Sequence, residues 1–135
     1  MTTEQSFIAN TVAAATMEIT PKGAEKIDNF ANHLPKGSRV FITFLPGSDI
    51  ADTIATAVRL RREGMTPIPH LAARSIPNLA FLQTNLARLV KEAAVDHCLL
   101  IGGGVAKPLG DFHASIQLLE TGLFEQHGFK HIFVA

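Results

Sequence analysis

Apolar residues along this chain alternate between two patterns. Short, dense runs rich in β-branched and aromatic residues recur at 16–20 (TMEIT), 39–45 (RVFITFL), 66–72 (TPIPHLA), 97–101 (HCLLI) and 130–135 (KHIFVA). Three of them stop at a breaker: the first at Pro21, the second at Pro46-Gly47 and the fourth at Gly102. Such runs predict strands, and the second, apolar throughout after Arg39 apart from Thr43, predicts a strand covered on both faces. Pro67 and Pro69 lack the ladder's N–H donor, so the third strand is expected at an edge, at a bulge, or with its prolines near the strand start.

Between the runs, apolar residues step by three and four. Ala24, Ile27, Phe30, Ala31 and Leu34 predict a helix over 22–34, broken by Pro35 and Gly37. Ile50, Ile54, Ala57 and Val58 predict a second, capped by Ser48 or Asp49, running to about Glu63 and stopped by Gly64. Leu79, Leu82, Leu86, Leu89 and Val90 predict a third over 77–94, and a fourth is expected from Ala114 to His127, closed by Gly128. Residues 4–15 have a helical composition with weak periodicity, so 1–15 is expected as a leading helix or arm ahead of one structural unit, 16–135.

Strand and helix alternating at intervals of about 30 residues predict right-handed βαβ crossovers and a parallel sheet, the α/β class. Two architectures share that pattern. An open flavodoxin-like sheet is complete with five strands, whereas a (β/α)8 barrel needs eight strands and about 250 residues. On length alone, 135 residues favour the open sheet.

Composition narrows the function classes. The 12 basic and 12 acidic side chains cancel, which leaves no net field to hold a polyanion, so nucleic acid is not expected as a partner. No apolar stretch reaches membrane-spanning length, and no basic segment opens the chain as in a secretory signal. A single cysteine, Cys98, fits a reducing, cytoplasmic setting and reads as a buried, inert thiol. A 47% hydrophobic content with neither Trp nor Tyr hints at apolar surface that expects company, in a homo-oligomer for instance.

Candidate chemistry is sought at the C-terminal ends of the strands, where parallel α/β proteins bind ligands. Glu18 stands between Met17 and Ile19. A carboxylate desolvated by apolar neighbours has a raised pKa and suits a general acid; the plainer alternative is an outward side chain paired with a cation. His70, between Pro69 and Leu71, could meet a cofactor edge or serve as a core histidine bonded to a carbonyl. Arg74 could anchor a phosphate or carboxylate, or simply be solvated. Gly102, Gly103 and Gly104, followed by Lys107 and Gly110, form a glycine-rich turn after a buried strand, able to cradle an anion or ring or merely to turn tightly. It matches neither the dinucleotide-binding nor the Walker pattern. Asp111, Ser115 and Gln117 near the fourth helix are polar candidates whose alternative role is capping. The histidines show no metal-ligand spacing.

Taken together, Met17-Glu18-Ile19-Thr20-Pro21-Lys22, the segment from Pro67 to Arg74, the Gly102–Gly110 loop and the segment from Gln117 to Gly122 resemble the methylenetetrahydrofolate reductase family, in particular its bacterial short, reductase-like branch. The resemblance is collinear over 16–135. It implies an FAD-dependent (β/α)8 barrel, here cut to about its first five strands and four helices, that passes hydride from NAD(P)H through flavin to the methylene carbon of 5,10-methylenetetrahydrofolate. It also implies that Glu18 is the acid that protonates the folate, that His70, Arg74, the three glycines and Lys107 lie on the cofactor, and that Gln117 meets the substrate.

Two departures stand out. Gly102–Gly104 occupy the place of an Arg-Gly-Asp-like sequence whose acidic residue lies near flavin and folate, and Phe44-Leu45 fall where a threonine commonly precedes an aromatic residue. The first suggests an alternative, a folate- or one-carbon-binding module without redox chemistry; an inactive fragment or interaction unit of such a barrel is a third reading.

Overall fold

The computed structural model describes residues 1–135. Five strands, β1 (Met17–Ile19), β2 (Arg39–Ile42), β3 (Thr66–Ala72), β4 (His97–Ile101) and β5 (His131–Val134), form one parallel sheet. They lie side by side in the order in which they occur in the chain. The helices are α1 (Thr3–Ala13), α2 (Pro21–Ala24), α3 (Ile50–Arg62), α4 (Leu79–Ala93), α5 (Ser115–Leu119) and α6 (Leu123–Gln126), with 3-10 turns at Phe30–Asn32 and Ala73–Ser75. The chain is thus an α/β protein.

Register divides the sheet into two unlike faces. Val40 pairs with Pro67, Ile42 with Pro69, and Leu71 with Leu100, which puts these residues on one face. Val40, Ile42, Leu71, Cys98 and Leu100 share the main core with Ile54, Ala57 and Leu60 of α3 and Leu82, Leu86 and Leu89 of α4. The other face carries Glu18, Phe41 and Ile68 in one row and His70, Leu99 and Phe133 in the next. The Phe41 and Phe133 rings lie 5.5 Å apart, edge to face. Their strands are three places apart, a distance of roughly 14 Å in a flat sheet. The sheet is therefore curled, with this second face on the inside.

Several expected elements take a different form. Residues 22–34 are not one helix. The chain leaves α2 at Glu25, and Asn29, in an extended conformation, caps the Phe30–Asn32 turn by accepting the Ala31 N–H at 2.9 Å. Asp28 and Asn29 bond locally in the way that competes with helix; the Asp28 carboxylate accepts from Asn32 and contacts the His33 ring at 2.7 Å. The expected helix over 114–127 is broken into α5 and α6 by Gly122, at φ +70. β3 is central rather than an edge, but its ladder to β4 begins only at His70, so both prolines sit in the half of the strand paired to β2 alone.

The leading helix α1 is capped by reciprocal bonds between Thr2 and Gln5 and buries none of its residues. No helix of the chain is long and apolar enough to cross a membrane.

Candidate functional site

The inner face of the sheet gathers the polar residues that stand out most in the sequence. Glu18 is the middle residue of β1, an edge strand, and its side chain stays 57% exposed. This corrects the expectation of a carboxylate enclosed by Met17 and Ile19, which lie in the alternate register and face the other way. What Glu18 has instead is a partner: the Thr43 hydroxyl, just past the end of β2, donates to its Oε1 at 2.6 Å. β2 ends at Ile42, so the two residues that follow it are Thr43 and Phe44. A threonine before an aromatic residue is thus present, one position earlier than Phe44-Leu45.

His70 lies across β2 from Glu18. Its side chain is only 8% exposed, and its Nε2 has no hydrogen-bond partner while standing 3.8 Å from Glu18 Oε1. That gap is too long for a hydrogen bond, so the nitrogen is left uncommitted where buried polar atoms are almost always paired. Burial pushes the imidazole pKa below its ordinary value against the opposing pull of the Glu18 carboxylate, which favours the neutral ring. Phe41 meets His70 edge-on at 6.0 Å and Phe133 at 5.5 Å. A carboxylate held by a hydroxyl, a neutral imidazole with an unpaired nitrogen and an aromatic surface therefore share one face of the curled sheet. Such a set can exchange a proton through Glu18, offer or accept one hydrogen bond at His70, and cover one side of a flat ring.

The other candidates form a second group, engaged mainly with each other. Arg74 follows β3 in the Ala73–Ser75 turn; its N–H donates to the Gly102 carbonyl at 3.0 Å and its Nε to the His113 carbonyl at 2.9 Å. Gln117 Oε1 accepts the His113 and Ala114 N–H groups at 2.6 and 3.1 Å, so it caps the entrance to α5. Arg74, His113 and Gln117 thus tie the 102–114 loop to the end of β3. Within that loop Gly103 has φ +99, a conformation that favours glycine, and a Cβ at Gly110 would lie 2.1 Å from the Pro77 carbonyl oxygen. Gly104 sits against Pro46, and Lys107 is exposed and makes no ion pair. Asp111 is exposed, and Ser115 opens α5 without capping it.

Phe41, Thr43 and Phe133 are the residues that sequence reasoning missed. The signal for Thr43 is faint: it is the one polar residue inside the 40–45 run, at the same parity as Phe41. No family model matches the chain.

Proposed function

We propose that this chain is an arc of a (β/α)8 barrel and acts as a methylenetetrahydrofolate reductase-like flavoprotein on folate one-carbon units. Three features of the fold favour a barrel arc over a flavodoxin-like sheet. The strands follow chain order rather than the interleaved order of a doubly wound sheet, α3 and α4 pack on one face, and the opposite face is concave. The carrying observation is the convergence of Glu18 on β1, Thr43 just past β2 and His70 on β3 at that concave face.

The residues present fit a flavin. His70 carries an unpaired, buried nitrogen at this face, Phe41 supplies an apolar neighbour, and Gly103 lets the backbone after β4 turn closely. When bound, a flavin supplies hydride transfer between NAD(P)H and the folate methylene carbon. The chain's own part is to hold and deliver a proton from Glu18, with the Thr43 hydroxyl fixing the orientation of that carboxyl group, as a positioned acid does.

The test uses the full natural chain, purified and inspected for the yellow absorbance of flavin, then assayed with NAD(P)H and methylenetetrahydrofolate. The Glu18→Gln substitution should leave flavin content and NAD(P)H-driven flavin reduction intact while slowing formation of the methyl product by roughly 10²- to 10⁴-fold. Protein that takes up no flavin yet binds folate would overturn the redox reading. It would favour a non-redox folate-binding module, the reading supported by glycine at 102–104 where the resemblance expects an acidic residue.

A further inference from the structure

A separate cavity of about 350 Å³ opens where the end of β3 meets the first turns of α3 and α4 and the tip of the 102–114 loop. Of the residues on the concave face it shares His70 and Ala72; Glu18, Phe41 and Thr43 take no part in its wall. Ile50, Leu71, Phe81 and Leu86 make most of it apolar. Leu109 closes one side, held in place by its N–H to the Arg74 carbonyl at 2.9 Å, next to Gly110 and its close approach to Pro77.

Besides His70, one buried polar side chain interrupts the apolar wall. Asn85 lies on the core side of α4 and is 8% exposed. Its Nδ2 donates to the Phe81 carbonyl one turn back, at 2.9 Å, and its Oδ1 accepts from no group of the protein. A helix facing a core would ordinarily carry leucine or alanine at this position, whereas here an amide oxygen without a protein partner stays accessible at the cavity wall. Asp49 also borders the cavity; Oδ1 caps the Ala51 N–H at 2.9 Å, and Oδ2 has no partner. No lysine or arginine lines the cavity. The acceptors Asn85 Oδ1 and Asp49 Oδ2 stand beside the hydroxyls of Ser48 and Ser75, the second Asn85 Nδ2 hydrogen and the His70 ring.

We infer that this cavity is a binding site for a small, largely apolar ring molecule that carries an N–H donor, with that donor directed to Asn85 Oδ1. Its volume lies at the small end of ligand pockets and suits one fused two-ring body rather than a dinucleotide. The site shares His70 with the reductase reading but uses none of Glu18, Thr43 or Phe41, so indole binding and reductase activity can fail separately.

Indole is the probe. The chain contains no Trp and no Tyr, so indole fluorescence can be titrated with protein free of background. Saturable binding is expected, with naphthalene, which has the same shape but no N–H, binding roughly five- to tenfold more weakly. Asn85→Leu should bring indole down to the level of naphthalene and leave naphthalene unchanged. Indole binding that is unsaturable, or equal in wild type and Asn85→Leu, overturns the proposal. Should the variant fail to fold, the Asn85 side-chain amide resonances of the wild-type protein decide: a saturable shift on adding indole supports the site, and unmoved resonances overturn it.

Discussion

His70 combines deep burial with an unpaired nitrogen, and that combination sets how the native state responds to acid. Its pKa lies below the ordinary value of 6.5 because burial disfavours the imidazolium, with Glu18 opposing. Above pH 6.5 both native and unfolded chains hold this ring neutral. As the pH falls below that value the unfolded chain takes up a proton that the native one resists, so stability declines, by some fraction of the ~1.4 kcal/mol per pH unit that one full proton gives. The depressed carboxyls of Asp28, Glu63 and Asp96 act in the same direction but only below their ordinary values of 3.8 to 4.5. Urea unfolding at pH 7.5 and pH 5.5 should therefore show wild type losing more stability than His70→Gln; equal losses would remove the argument. Cys98, by contrast, is wholly buried, its thiol pushed up to about 12 by desolvation, in line with the inert role read from its apolar strand. Glu18 and His70 were legible in the sequence because each is a polar residue inside an apolar strand. Their meeting was not, since it depends on β1, β2 and β3 lying in register, and no single strand carries that information.

At the scale of elements, what decided the chain's path between α2 and β2 lies more than 30 residues away. Arg59, on α3, donates to the carbonyls of Ala24, Ile27 and Asp28 and pairs with Glu63 at 2.9 Å. The other Glu63 oxygen accepts the Phe30 N–H at 2.7 Å, and the guanidinium sits 5.1 Å above the Phe30 ring. Burial works against the ionised Glu63, but the Phe30 N–H and Arg59 outweigh it and hold its carboxyl below the usual range. Periodicity over 22–34 finds the apolar positions yet cannot see carbonyls drawn out of a helix by a distant side chain. β3 and β4, in contrast, match their sequence runs to the residue, because each is dense in β-branched and other apolar residues and sharply bounded. Arg59→Met keeps the apolar stem but strands the carbonyls and leaves Glu63 without its cation. A loss of about 2 to 4 kcal/mol in chemical denaturation is expected. A loss under about 0.5 kcal/mol, the range of neutral surface changes, would show that the turn holds without the clamp.

For the whole molecule, the strand order leaves two open edges. β1 is paired only to β2, and β5 only to β4. Both are short, three and four residues, and Met17 and Val134 on them are exposed. Phe7, Ile8 and Val12 of α1 add further exposed apolar surface. Unpaired strand edges beside exposed apolar side chains are templates for association, and neither edge carries the proline or bulge that commonly blunts one. A complete open sheet, which chain length alone favours, would leave these edges as they stand, whereas the proposed barrel arc would need a neighbour at each. These 135 residues expressed alone should therefore self-associate, with a sedimentation coefficient that rises with concentration. Val134→Lys places a charge on the β5 edge, where a cation opposes pairing, and should shift the population toward monomer without lowering the unfolding midpoint of the isolated chain. A wild-type protein that remains monomeric at tens of micromolar and unfolds cooperatively would show the edges to be satisfied as they stand, and would count against the barrel arc on which the proposed function rests.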